Sequence, residues 1–322
     1  MNYTQVVTEW EESRNLLGEV QPYTAKKSAE KARYFFPFIG NEEVDEISPC
    51  DIEQAIVTLK RDRGLSTTTL RAIHLASTQA CDWAIAHGHA TENPFKLVPR
   101  PKAAKTSARS LDRIQANQLA LFAKQRRDEC MARGELQQSA FCLCVMLALA
   151  TGLRRGELFG LEWPDFDGSS LFVQRSLKPD GKHVGAPKTQ SGVRRIALGE
   201  NMANELASYK AWQSSKVPPK KWDEPQPVIA KGDGTRPSMN VFEHWWARFR
   251  ADAGFDGLKF HELRHTHATL LISNGVDVKT VQGRLGHSSA DITMNVYAHA
   301  LPRNDMQAAN EIDMMLLRGD AE

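Results

Sequence analysis

The chain has 322 residues, a prior of roughly two domains, each large enough to bury its own core. It is 41% hydrophobic, 25% charged and 8% aromatic, which excludes disordered, collagen-like and coiled-coil classes. The formal charge is only +2, so net charge alone does not announce a polyanion partner.

The sequence predicts helices at Tyr3–Leu17 and Thr24–Phe38, where apolar residues recur at helical spacing. Ser48-Pro49 makes an N-cap and first-turn pair and Gly64 a stop, predicting a helix over Asp51–Arg63. Ser66–Ala86 follows as a fourth, and Asn93-Pro94 breaks the chain. Leu97–Ser110 has the composition of a linker. Its Arg100, Lys102, Lys105 and Arg109 stand without one acid. It reads equally as a solvated hinge and as a strap against a phosphate backbone.

A cap at Ser110 opens a helix to about Arg127, a buried helix covers about Gln137–Thr151, and a short one Arg154–Trp163. The period then changes. Ser170–Arg175, Val184–Lys188 and Val193–Ala197 are short extended pieces set apart by Gly181 and Gly192, which predicts a small antiparallel sheet. Helices return at about Asn201–Ser214 and Met239–Ala253, and nearly everything from His261 onward reads as helix. The fold class expected is mainly α: an all-helical N-terminal domain, then a mostly helical domain with a small antiparallel β-sheet. The boundaries are 1–96, a basic linker at 97–109, a second domain at 110–300, and a helical tail at 301–322.

Charge is uneven along the chain: net −1 over residues 1–105, +6 over 106–300 and −3 over 301–322. The five cysteines include no CxxC pair, which fits a reducing compartment better than a disulfide framework. The N-terminus has no signal-peptide core, and the longest apolar run, Ala140–Ala150, is too short to span a bilayer. A cytoplasmic protein without a membrane partner is expected.

Two motifs compete for the chemistry. His261-Glu262-Leu263-Arg264-His265 matches H-E-x-x-H, which on a helix can hold zinc with the glutamate as general base. A five-residue pattern is weak, and nothing in the sequence positions a third ligand. Cys142 and Cys144 lie in an apolar run and read as core thiols. The stronger signal is dispersed. Thr151-Gly152-Leu153-Arg154-Arg155-Gly156-Glu157 follows the buried helix, and Pro187-Lys188-Thr189 sits at a hairpin tip. His261-x-x-Arg264, Leu285-Gly286-His287 and Tyr297 come in one run. Arginines supply paired donors for phosphoryl oxygens, histidine moves protons near neutral pH, and a tyrosine hydroxyl is a nucleophile once assisted.

These segments, in this order, resemble the boxes of the tyrosine recombinase (phage integrase) family. The resemblance implies a core-binding domain followed by a catalytic domain. It also implies site-specific recombination, of the kind that integrates or excises a mobile element. Arg154 and Arg264 would clamp the scissile phosphate, and Lys188 would protonate the leaving 5′-oxygen. His261 would act in proton transfer, His287 would donate to the phosphate, and Tyr297 would form a 3′-phosphotyrosine. Glu157 would support the site, and Arg100, Lys102, Lys105 and Arg109 would touch DNA. No cofactor, metal or ATP is implied. The partners implied are double-stranded DNA with paired sites and further copies of the chain, as a tetramer on two sites, with the tail 301–322 as the contact between protomers. A bacterial or phage origin and an association with the nucleoid go with this reading. The core-binding pattern begins almost at Met1, leaving no room for the arm-binding domain many phage integrases carry before it, so the resemblance implies either a simpler recombinase or a truncated chain. The alternatives are type IB topoisomerase-like relaxation of DNA, a catalytically silent DNA binder, and the zinc metalloprotease.

Overall fold

A computed structural model describes residues 1–102, 109–181, 183–187, 190–217 and 226–286, with 309, 310, 312–314 and 316 in the tail. The chain is mainly α and divides into two compact units, Met1–Ser107 and Ala108–Glu322.

The first unit contains α1 (Tyr3–Leu16), α2 (Pro22–Ala32), α3 (Phe36–Ile39), α4 (Pro49–Arg63) and α5 (Thr67–Ala86). Asn2 and Gln5 form a reciprocal cap on α1, and Ser48 with Asp51 does the same for α4. The single helix expected over Thr24–Phe38 is broken: α2 stops at Ala32, a 3-10 turn spans Arg33–Phe35, and α3 begins at Phe36. Pro37 causes this, since it has no N–H to donate and crowds the carbonyl four residues back. Phe95 fills the centre, its ring 5.8 Å from Tyr3, 5.1 Å from Phe35 and 5.7 Å from His74. The buried Tyr3 hydroxyl donates to Ser77 Oγ at 2.7 Å, so the core keeps no orphaned donor there.

The second unit is built around α7 (Leu136–Thr151), buried on every side from Ser139 to Ala148. It packs against α6 (Arg113–Ala132), α8 (Arg155–Gly160), α9 (Glu200–Lys216) and α11 (Glu262–Ser273). An all-round apolar helix belongs in such a position. With α10 (Met239–Asp252) it brings Phe141, Phe159, Phe242, Trp246 and Phe260 into one aromatic cluster, the Phe242 and Phe260 rings perpendicular at 4.9 Å. Each such buried ring contributes about 1.5–3 kcal/mol.

Three boundaries differ from expectation. The cap of α6 is Asp112, not Ser110, because Asp112 and Gln115 exchange side-chain and backbone hydrogen bonds. That helix continues to Ala132, past Arg127, until Gly134 takes a left-handed φ of 73°. The expected helix over Arg154–Trp163 shortens to α8, with Arg154 outside it as the N-cap. Leu161 turns the chain into extended backbone, and Pro164 then sits in a separate 3-10 turn.

The sheet is two separate antiparallel ladders. β1 (Ser170–Val173) pairs with β4 (Arg194–Ala197), and β2 (Ser176–Leu177) pairs with β3 (Val184–Gly185). The extended piece expected to run unbroken to Arg175 is interrupted there, because Gln174 and Arg175 turn their side chains onto Asp165. Beyond α11, α12 (Val278–Leu285) ends in Gly286. Of the tail expected at 301–322, residues 309, 310, 312–314 and 316 are helical, and Ile312, Met314 and Leu316 are exposed. Among the described residues no helix is long and apolar enough to cross a membrane.

Two glycines shape the region where these elements meet. Gly152 ends α7 with φ 67°, and a Cβ on it would lie 2.6 Å from Leu285 Cδ2 and 2.7 Å from the His267 ring. Gly286 ends α12 with φ 66°, and a Cβ there would lie 2.8 Å from the Ser191 carbonyl and 2.9 Å from Arg194 Nη1. Only glycine satisfies both the left-handed backbone and the close approach.

Candidate active site

The turn at Gly152 delivers Arg154 to the mouth of the second unit. The Arg154 side chain is 39% exposed, whereas Glu157 beside it is almost fully buried. Arg154 Nη1 donates to Glu157 Oε1 at 2.9 Å, its backbone N to Oε2 at 2.9 Å, and its Nη2 to the Gly286 carbonyl at 3.2 Å. Glu157 therefore orients Arg154.

Arg264, one turn into α11, is only 4% exposed. Its Nη1 donates to the Gly152 carbonyl and its Nη2 to the Leu285 carbonyl, both at 2.7 Å. The carbonyls of Leu285 and Gly286 thus receive Arg264 and Arg154 side by side, and the two arginines converge on one corner. Burial, then repulsion from Arg154, lowers the Arg264 guanidinium to about 9, with Glu157 opposing and Arg194 adding to the fall. It remains cationic at neutral pH. An anion placed there would relieve the repulsion between the two.

His261 immediately precedes α11, its ring 5.2 Å from that of His265 and perpendicular to it. Desolvation, then His265, Arg264 and Arg154, lower His261 to about 4, although the residue is exposed. It is a neutral imidazole at pH 7, able to accept a proton. The ring also lines a cavity of about 380 Å³ shared with Trp246, Phe260, Arg250 and Lys259. Arg155 lines the same cavity, paired with Glu243.

The H-E-x-x-H reading fares poorly in this setting. Glu262 accepts from the backbone N–H groups of Lys259 at 2.8 Å and Arg109 at 3.3 Å, so its carboxylate is spent on the chain. The neighbouring guanidiniums disfavour a second cation at His261. Among the described residues no group of three His, Cys, Asp or Glu stands together as a ligand set.

Lys188, His287 and Tyr297 lie outside the described residues, as does Lys105. Arg100 and Lys102 are exposed. Arg109 is exposed too, and its guanidinium donates to the Asp256 carbonyl at 3.3 Å.

Sequence reasoning missed Arg194 and Arg284. Arg194 is two residues before the buried Ile196 on β4, so strand alternation places it on the inner face, a signal available in the sequence. Its guanidinium grips Glu157 at 3.2 and 3.0 Å. Arg284 donates from Nε to His267 Nε2 at 3.1 Å and from its other nitrogens to the carbonyls of Ala197 and Ala150. Arginine can only donate, so His267 Nε2 accepts and its Nδ1–H donates to the Leu149 carbonyl at 2.8 Å. Both ring nitrogens of this histidine are committed to the neutral form.

Burial, with Arg284 and Arg264 nearby, holds His267 at about 4. The unfolded chain binds its proton near pH 6.5, so the folded state binds fewer protons between these values. Stability from this group is complete above pH 6.5 and declines as pH falls toward 4, by roughly 3 kcal/mol at most. Urea unfolding at pH 7.5 and 4.5 should show this slope, and His267→Gln should flatten part of it. An unchanged slope in the variant would refute the assignment.

Two arginines, a carboxylate and a neutral histidine stand together on this mainly helical unit, an arrangement that could take an anion. The chain belongs to the phage integrase family: residues 109–304 match the phage integrase family model and residues 3–99 the phage integrase central domain. It is 28% identical over 188 residues to the ICEBs1 integrase of Bacillus subtilis, covering 53% of this chain and 48% of that protein. It is 30% identical over 191 residues to a XerC-like tyrosine recombinase of Caldanaerobacter subterraneus, covering 53% and 49%. The match thus spans about half the length of each of these two. Against tyrosine recombinase XerC of Corynebacterium glutamicum the identity is 27% over 271 residues, covering 84% and 80%. The fold is shared with a Tn1549 transposon integrase in complex with transposon right-end DNA (TM-score 0.73, 22% identity, 98% of this chain and 100% of that one). It is shared also with a lambda integrase dimer bound to a core site (TM-score 0.70, 20% identity, 92% and 95%).

Proposed function

We propose that the protein is a site-specific DNA recombinase that cuts and rejoins strands through a 3′-phosphotyrosine intermediate, in the service of a mobile element. The observation that carries this is the convergence of Arg154 and Arg264 on the Leu285–Gly286 corner, with Glu157 behind and His261 beside. Guanidiniums held in place before substrate arrives stabilise the charge that develops on the non-bridging oxygens. The Tyr297 oxygen attacks phosphorus, the bond to the 5′-oxygen breaks, and His261, neutral at pH 7, takes the phenolic proton. Lys188 returns a proton to the departing oxygen, and His287 donates to the phosphate. The phosphotyrosine conserves the bond energy, so the reverse attack by a 5′-hydroxyl joins strands without ATP or a metal.

The domain division at 97–109 fits a protein that closes on duplex DNA, with Arg100, Lys102, Lys105 and Arg109 toward the backbone. Strand exchange needs paired sites and several copies of the chain. A lambda integrase tetramer bound to a Holliday junction has a related fold, and a tetramer on two sites is the assembly proposed here. The action is placed in the cytoplasm, on the bacterial nucleoid.

The test is adduct capture. Purified full-length protein is incubated with sheared genomic DNA of the source organism, with and without EDTA and without ATP. Protein-linked ends are then sequenced. Ends collecting at one inverted repeat, undiminished by EDTA, are expected. Absence of adduct would refute the proposal. Relaxation of any supercoiled plasmid without a preferred site would favour the topoisomerase reading.

A further inference from the structure

We infer that Arg194 is a positioning residue of this site, fixing Glu157 and the Gly286 turn so that Arg154 is presented to phosphate in one orientation. The inference rests on the recombinase reading above and adds a residue to it.

Arg194 makes more of the site's internal bonds than any of the arginines proposed to hold phosphate. Nη1 and Nη2 lie against Glu157 Oε1 and Oε2 at 3.2 and 3.0 Å, a two-pronged contact. Nε donates to the Arg284 carbonyl at 2.7 Å, and Nη1 also to the Gly192 carbonyl at 2.9 Å. One guanidinium thereby pins α8, the turn before β4 and the end of α12. Its side chain is 8% exposed against 39% for Arg154. The buried member is the fixed one, and the exposed member reaches outward.

The order of support runs one way. Both Glu157 oxygens that Arg194 grips are the ones Arg154 uses, Oε1 for Nη1 and Oε2 for the backbone N. Arg154's direction is set by Glu157, and Glu157's by Arg194. Gly286 closes the arrangement: its carbonyl receives Arg154 Nη2, while Arg194 Nη1 fills the space a Cβ would need. Lysine cannot substitute, because one ammonium cannot span two carboxylate oxygens and two carbonyls.

Charge follows from the geometry. Burial alone would raise the Glu157 carboxyl, but the hydrogen bond and charge of Arg194, joined by Arg154, bring it below its ordinary value. Without Arg194 the balance shifts toward burial, with only Arg154 opposing it, and Arg154 then loses an ionised partner at a higher pH than before.

The experiment uses the full chain and the duplex recovered in the adduct capture. Arg194→Met, Arg194→Lys, Glu157→Gln and the Arg194→Met/Glu157→Gln pair are compared by duplex affinity, melting temperature and single-turnover cleavage from pH 5.5 to 9. Arg194→Met should bind within a few-fold of wild type and cleave about a hundredfold more slowly, the scale of a misplaced group. Its rate should gain a rise with pH that wild type lacks. Adding Glu157→Gln should cost little more and abolish that rise, because the two residues act as a unit. Arg194→Lys should recover only a minor part of the rate, and it serves alone if Arg194→Met does not fold. Additive losses with an unchanged pH profile would overturn the inference and leave Arg194 a structural residue. Wild-type adduct with no loss in Arg194→Met would overturn it alone, whereas no adduct from wild type would overturn the recombinase reading itself.

Discussion

Tyr297→Phe is expected to bind its DNA site with nearly wild-type affinity and never become joined to it. Of the five tyrosines, Tyr3 and Tyr209 are fully buried and bonded, to Ser77 and Ser139 respectively. Tyr3 is raised well above its ordinary value, chiefly by burial, so neither its position nor its acidity suits a nucleophile. Tyr23 and Tyr34 belong to the first unit, and the arginine boxes to the second. A phenol with an ordinary pKa of about 10 is protonated at neutral pH, and needs cations and an acceptor to attack. Arg154, Arg264 and a neutral His261 are the groups proposed to supply both. Phenylalanine deletes one oxygen and keeps the ring, so affinity carried by backbone contacts is spared. The measurement is a labelled suicide duplex on a denaturing gel, with peptide mapping of the shifted band. An adduct persisting in Tyr297→Phe, or mapped to Tyr209 in wild type, would overturn the assignment.

Glu157→Ala is expected to lower stability by about 3–5 kcal/mol, the range for leaving one member of a buried ion pair unpartnered. Arg194 and Glu157 are 8% and 3% exposed at the side chain. Alanine would leave the Arg194 charge buried with only carbonyls around it, and would free Arg154 from its orienting contact. Calorimetry should find the second unit melting on the order of 10 °C lower. Glu157→Gln, which keeps an acceptor and the shape, should lose less. Replacing both partners, as Glu157→Leu with Arg194→Met, should recover part of the loss, because the orphaned charge is then gone. A wild-type melting temperature for Glu157→Ala would show that water already screens this pair.

Much of the fold was legible in the sequence because its signals are local. Apolar spacing marked α1, α5 and α7, and Ser48-Pro49 with Gly64 marked both ends of α4. The misses came where two local rules compete. Pro37 sits inside a good apolar repeat, and the break prevailed. Ser110 and Asp112 are both competent caps, and the reciprocal bond with Gln115 decided for Asp112. In the candidate site, Arg154, Glu157, His261 and Arg264 stand out in the sequence because they fall in recognisable boxes. Strand alternation turns Arg194 inward, but neither it nor Arg284 carries a label for its partners, which include carbonyls and a carboxylate 37 to 134 positions distant. Partnerships across that separation leave no periodic trace in a single sequence.

The seat of Arg264 has a consequence for which mutations this protein tolerates. Its guanidinium is held by two main-chain oxygens, and every residue type carries one. Substitution at 285 therefore alters packing but leaves that acceptor in place. Vulnerability is displaced to the backbone path, and so to Gly152, whose left-handed turn aims the other oxygen. A lineage under drift would keep this glycine as stubbornly as it keeps the arginine, while the leucine beside the second oxygen wanders among apolar residues.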